Sequence, residues 1–315
     1  MSDITQHQHY VWRHYLDAWS IKAKVWCYRK TDDKFFNPKP RNVAGERFFY
    51  GTSHLKRADI VYLNTILLSG IKNTMLRELA AGYINIFTLP DQFEKKLLPK
   101  MQTADQKAEL SAVIDKLRKT AGEEYHGAIE RSFHHLLAQS KAGDLSFLDD
   151  NEEAINFYHF IAHQYMRTGS MRRSIQAIES PVPGHDFKRT WLIESFVYAT
   201  NLGFSLYARR EAEPVTILRN STPIPFVVGD QPVLNLLPPD GDKVDIYYPL
   251  SPNIALRISE CANESRDLAA SEVEDLNRIM FMRAEENLFA NNEAYLRSLV
   301  SALRNSDNCP VAQST

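Results

Sequence analysis

Gln164 and Arg167 stand three residues apart in Phe160-Ile-Ala-His-Gln-Tyr-Met-Arg-Thr168. In a helix, that spacing puts both side chains on one face, on neighbouring turns. The apolar residues around them, Phe157, Phe160, Ile161 and Met166, predict a largely buried helix. An internal guanidinium requires an acceptor, which can be a carboxylate, a carbonyl or a bound phosphate. Arg167 therefore reads either as half of a structural ion pair or as an anion-binding group, with Gln164 beside it. His159 and His163 are four apart on the same segment, the spacing at which two imidazoles can share a metal. No Glu follows the first His, so the zinc-protease form is absent, and the sequence names no third ligand.

Asp230 follows the apolar run Phe226-Val-Val and precedes Gln231-Pro232, where a buried strand emerges into a turn. A carboxylate there can serve as general base, metal ligand or partner of an Arg. It can equally close an Asx turn. Asp230 is the expected partner of Arg167. His9 and His14 lie among aromatics in a segment read as a short helix over 8–19, on the spacing of Val11, Trp12, Tyr15, Leu16 and Trp19. A histidine there is either a general acid or base or a packed core residue. Ser251 lacks a Gly-x-Ser-x-Gly elbow, and no phosphate loop, dinucleotide fingerprint or kinase signature occurs.

The elements that must position these residues change character along the chain. Lys24-Val-Trp-Cys-Tyr-Arg29 has strand composition, and Asn37-Pro-Lys-Pro40 cannot be helical. From about 55 to 210 the pattern is helical. Residues 104–140 are free of proline, rich in Ala, Lys, Glu and Leu, and suit one long helix or two joined near Gly122. Asp149-Asp-Asn-Glu-Glu153 opens a further helix with carboxylates in its first turn. Residues 214–258 are β-rich and punctuated by Pro, Gly and Asp, and helix returns over about 266–303. The expected fold is α+β: a mainly helical body with a small mixed or antiparallel sheet built from N-terminal and C-terminal segments, in a single composite domain over 1–315.

Composition narrows the class. The 315 residues are 44% hydrophobic and 24% charged with net charge −2, which fits a globular chain with a sizeable core and excludes a generally basic nucleic-acid binder. Residues 1–60 carry eleven basic against six acidic side chains, and 260–293 nine acidic against three basic. These read as solvated faces of opposite sign. Cys27, Cys261 and Cys309 are odd in number and far apart, so they form neither a disulfide framework nor a metal knuckle. The N-terminus lacks the basic start and apolar stretch of a signal peptide, no run approaches a membrane span, and a cytoplasmic location is expected.

His9-Tyr-Val-Trp-Arg-His-Tyr-Leu-Asp-Ala-Trp19 resembles the opening of a bacterial family catalogued as domain-of-unknown-function family 4238, whose members begin His-Tyr-Val-Pro-x-x-Tyr-Leu-x-x-Phe. Trp12 stands where the family has Pro. Phe49-Tyr50, the Gln164-x-x-Arg-Thr168 helix, Phe226–Val233 and Tyr248-Pro-Leu-Ser-Pro252 are similar to further family motifs in the same order, and Asn277 matches its late Leu-Asn. The resemblance brings no activity with it. It adds Asn277 to Gln164 and Arg167 as anion- or substrate-binding candidates and favours His9 over His14 as the proton carrier. Two functional expectations follow. One is a metal-dependent phosphoesterase or nuclease acting on nucleotides or nucleic acid, in a bacterial defence or toxin setting, with His9 and Asp230 catalytic and a divalent metal as cofactor. The other is a non-catalytic binding protein in which the same polar residues form a structural network.

Overall fold

The computed structural model describes residues 5–238, 243–261 and 264–307; Cys309 lies outside them. The helices are α1 (Arg13–Leu16), α2 (Arg57–Tyr62), α3 (Leu68–Gly70), α4 (Thr74–Lys96), α5 (Ala104–Ala142), α6 (Asn151–Met166), α7 (Gly169–Gln176), α8 (Phe187–Ala208), α9 (Ala270–Arg283) and α10 (Glu293–Asp307). The strands are β1 (His7–His9), β2 (Trp26–Arg29), β3 (Lys34–Phe36), β4 (Gly45–Arg47), β5 (Val215–Arg219), β6 (Val228–Gly229), β7 (Leu234–Asn235), β8 (Asp245–Ser251), β9 (Ile254–Ser259), β10 (Arg266–Asp267) and β11 (Asn287–Ala290). With 56% helix and 15% strand, the fold is α+β with a helical body.

The chain forms two compact units, the first comprising Met1–Tyr10, Gly45–Leu136 and Ser146–Ala208, the second Val11–Ala44, Leu137–Leu145 and Arg209–Thr315. In the first, α8 is apolar on every side and buries Trp191, Leu192, Ile193, Phe196 and Val197, as a central helix must. It packs against α4, α6 and α7. Gly203 makes the α6 contact close: a Cβ there would sit 3.1 Å from the His159 Cα. Helix α6 starts where the carboxylates predict. The Asp150 side chain caps it by accepting from the Glu152 and Glu153 amides at 2.9 and 3.0 Å. Helix α5 is one uninterrupted element, and Gly122 admits Tyr50 against it, since a Cβ would lie 2.8 Å from the Tyr50 carbonyl.

His9 ends β1, which pairs antiparallel with β4, so the expected helix over 8–19 is a strand followed by a short helix. Trp12 adopts φ −56°, within proline's own range, so the backbone here is one that proline would also take.

The second unit holds two sheets. One has the order β3-β2-β11-β6, all antiparallel, and joins strands from both ends of the chain. The other, β10-β5-β9-β8-β7, is mixed through its parallel β10–β5 pair. The β-rich run 214–258 thus divides between two sheets. Strand β11 interrupts the expected C-terminal helical stretch. All four of its residues are buried, so it shows no in-out alternation. The N-terminal aromatics of this unit pack against its sheets: Trp19 Nε1 donates to the Phe226 carbonyl, just before β6, at 2.8 Å, and Tyr15 stacks on Tyr248 of β8 at 5.0 Å. Ser251 is a turn former. Its Oγ accepts from the Asn253 and Ile254 amides, both at 3.2 Å, and closes the β8–β9 hairpin.

Candidate functional site

In the first unit, the residues expected to do chemistry gather around Arg167, which is 2% exposed. Its Nη1 donates to Glu130 Oε1 at 2.6 Å, its Nη2 to the His9 carbonyl at 2.6 Å, and its Nε to the Tyr50 hydroxyl at 2.7 Å. The Tyr50 hydroxyl in turn donates to the His9 carbonyl at 3.0 Å. Gln8 fastens this group to α5, with its Nε2 donating to the Lys119 carbonyl and its Oε1 accepting from the Tyr50 amide, each at 2.7 Å. Arg167 does find an internal anion, but it is Glu130 on α5 rather than Asp230. His9 takes part through its backbone carbonyl, and its ring meets that of His7 edge-on at 4.9 Å.

Gln164 does not join those bonds. It is 1% exposed, and neither its Oε1 nor its Nε2 has a partner. Nearby polar groups share that condition. His126 on α5 lies between the Tyr50 ring, 4.4 Å away, and the Phe196 ring, 4.7 Å away, and both its ring nitrogens are buried without a partner. Glu123, one turn earlier, has a buried, unpartnered Oε2. Burial holds its carboxyl up at about 7, against the pull of Arg167. His163 faces His159 with the Nε2 atoms 3.0 Å apart. Burial drives the His126 and His163 pKa values well below the ordinary imidazole value, and that of His159 to about 4. All three imidazoles are therefore neutral at pH 7. Glu123 and His126 sit on a helix that composition marks only as Ala-, Lys- and Glu-rich. Their i, i+3 spacing on one face was the available signal.

In the second unit, Asp230 is committed to backbone. Its Oδ1 accepts from the Glu285 amide at 2.8 Å, and its Oδ2 from the Glu286 and Asn287 amides at 2.7 and 2.8 Å. Burial raises its pKa and those three bonds oppose the rise. On the same turn, Lys30 Nζ donates to the Phe281 and Ala284 carbonyls, both at 2.5 Å. The passage from α9 to β11 is thus held by an anion on its amides and a cation on its carbonyls. Asn277 is likewise saturated. It accepts from the Val227 amide at 2.9 Å and donates to the Pro225 carbonyl at 2.9 Å and the Tyr295 hydroxyl at 2.8 Å.

An open cleft of about 700 Å³ in the first unit is lined by residues that sequence reasoning did not single out. His54 Nδ1, a carboxylate oxygen of Asp91 and one of Glu94 lie within 4.8 Å of one another, a set that could hold a metal ion. Arg118 Nη2 already bridges the two carboxylates at 2.5 Å each. Lys56, Arg57, Lys95 and Lys96 line the same cleft. Asp91 and Glu94 lie on the last turns of α4, and Asp91 Oδ2 accepts from the Leu55 amide, in the segment that enters α2, at 2.8 Å.

Among the described residues, no helix is long and apolar enough to cross a membrane. No curated protein and no solved structure matches the chain. One family model does match, over residues 7–195, a span that takes in the His9–Trp19, Phe49-Tyr50 and Gln164–Thr168 motifs and stops short of Phe226–Val233, Tyr248–Pro252 and Asn277. The chain belongs to the family described as Protein of unknown function (DUF4238).

Proposed function

We propose that the helical unit binds a divalent cation in the cleft at His54, Asp91 and Glu94 and acts there on a phosphate ester, with a nucleotide or nucleic acid as the substrate class. The observation that carries this reading is the convergence of one imidazole and two carboxylates on one point of an open cleft, beside four basic side chains. An N,O,O set of this kind suits Mg²⁺ or Mn²⁺, which favour carboxylate and water ligands. A cation there would neutralise charge developing on a phosphoryl group, and Lys56, Arg57, Lys95 and Lys96 supply further positive charge to a polyanion. Arg167, Asp230 and Asn277 then hold the fold and leave the chemistry to other residues.

A non-catalytic reading has one observation in its favour. The Arg118 guanidinium meets the demand of both carboxylates for a cation without any metal. Assays of purified protein with Mn²⁺ or Mg²⁺ against a chromogenic phosphodiester, nucleotides, single-stranded DNA and RNA separate the two. Turnover that is metal-dependent and lost in Asp91→Asn and Glu94→Gln supports the enzyme reading. Absence of turnover together with absence of Mn²⁺ binding by calorimetry refutes it and leaves the binding one.

A further inference from the structure

The buried polar cluster between α5 and α6 has a chemistry of its own, apart from the cleft. We propose that it is a transition-metal site, with His159 and His163 as the first two ligands and His126 as the third. The fourth position would go to an oxygen of Glu123, Gln164 or an exogenous ligand.

Geometry supports the first pair. Two imidazoles bound to one metal at about 2.0–2.1 Å, at angles between square and tetrahedral, have their nitrogens about 2.9–3.4 Å apart. His159 and His163 hold their Nε2 atoms 3.0 Å apart, where they share a hydrogen bond whose proton a metal would displace. The His126 ring stands 5.8 Å from that of His163 at an angle of 75°, so His126 would have to turn inward to join the pair as third ligand. Its nitrogens are fully buried without a partner, and so are both polar atoms of Gln164. Native interiors rarely leave such groups unsatisfied, and a bound ion is one of the few ways to satisfy several together.

Charge is compatible too. Metal ligation requires neutral imidazoles, and the full burial of His126 and His163 suits an uncharged ring. Arg167, a cation close by, is neutralised by Glu130 at 2.6 Å, which leaves the Glu123 carboxyl to balance a metal. His159 is half-buried and gives the site an edge toward solvent. A nitrogen-rich set selects Fe, Co, Ni or Zn over Mg²⁺.

The test is titration of the metal-stripped full chain with Co²⁺, followed by visible absorption, in the presence of excess Mg²⁺. One equivalent with intense d–d bands is expected. His163→Ala and His159→Ala should each weaken binding by at least about 100-fold, more than loss of a mere supporting contact does. Asp91→Asn should leave the bands unchanged, which separates this site from the cleft. His159→Ala is the variant that costs least packing, and circular dichroism checks that it folds. If the wild-type chain takes up no Co²⁺, or if bands persist undiminished in folded His159→Ala, the cluster holds water only and the proposal fails.

Discussion

Arg167 and Glu130 join α6 to α5 through a bond of 2.6 Å, at a guanidinium 2% exposed and a carboxylate 18% exposed. Three of the guanidinium's nitrogens reach three different acceptors, a carboxylate, a carbonyl and a phenol. Arg167→Ala removes all three bonds and leaves Glu130 without its counter-charge, while the Tyr50 hydroxyl and the His9 carbonyl keep their bond to each other. The expected cost is about 3–5 kcal/mol, read from urea unfolding. Arg167→Lys should recover little, because one ammonium cannot span a planar fork. A loss below about 1 kcal/mol for the Ala variant would show that the pair does not hold α5 to α6.

Asp230 stabilises the turn between α9 and β11 by accepting three backbone amides. Asp230→Ala leaves three amides unpaired, the Asn287 amide buried and the other two partly so, at an expected cost of about 2–4 kcal/mol. Asp230→Asn should cost less than Ala but remain destabilising, since one of its two polar atoms is a donor facing donors. Hydrogen exchange at the Glu285–Asn287 amides is the local readout, and slow exchange that persists in Asp230→Ala would contradict this role.

How much of this was legible in the sequence depends on how local each interaction is. Helix α6 was readable because its cap and first-turn carboxylates are contiguous, and helix over 104–140 because no proline interrupts it, although Gly122 left one helix or two open. The need of Arg167 for an anion was also readable, since an aromatic helix cannot leave a guanidinium bare. The identity of the anion was not. Glu130 lies 37 positions upstream among Glu, Lys and Arg that look like a solvated face. Strand β11 was hidden for a different reason: with both faces buried it carries no period-two signal, and flanking helices absorb it. The His126 cluster depends on two helices meeting, a contact no single segment encodes.

Glu194 is fully buried on α8, where Thr190 Oγ1 donates to it at 2.8 Å and continues to His185 Nε2 at 2.9 Å. Burial lifts its pKa from the ordinary 4.5 to about 8. A carboxyl whose folded value is raised contributes stability that is fully present below its unfolded value and is lost as pH rises through the folded one. The contribution of Glu194 to stability should therefore fall between about pH 4.5 and 8 and level off above. Glu194→Gln, which cannot ionise, should flatten that limb and exceed wild type at pH 8.5 by on the order of 3 kcal/mol. Identical slopes for the two proteins would refute it.

His126 and His163 carry the opposite dependence. Their folded values lie well below the ordinary 6.5, because burial and neighbouring cationic groups disfavour the imidazolium. The unfolded chain binds more protons below pH 6.5, so the stability of the neutral pair is present above that value and is lost as pH falls beneath it. His163→Gln should remove part of the acid limb, seen as a shallower decline in denaturant midpoint from pH 6.5 to 4.5. An unaltered decline would mean that His163 titrates normally in the folded chain.

Arg118 decides what the cleft can do. Its Nη2 lies 2.5 Å from both Asp91 and Glu94 and 3.4 Å from His54 Nδ1, close to where a metal bound to those three atoms would sit. Metal and guanidinium therefore compete for the same oxygens, and a metal can enter only if Arg118 swings aside. Arg118→Met keeps the length and apolar stem of the side chain and removes the competing charge. Mn²⁺ affinity measured by calorimetry should rise by about tenfold or more, since two charge-assisted bonds no longer have to be broken. Asp91→Asn combined with Arg118→Met should abolish that gain. Phosphate-ester turnover should nevertheless fall in Arg118→Met, because the displaced guanidinium is the cleft's best-placed donor to a phosphoryl oxygen. If Mn²⁺ affinity is unchanged in a folded Arg118→Met protein, the carboxylates serve Arg118 alone, and the cleft holds a salt bridge where a metal was proposed.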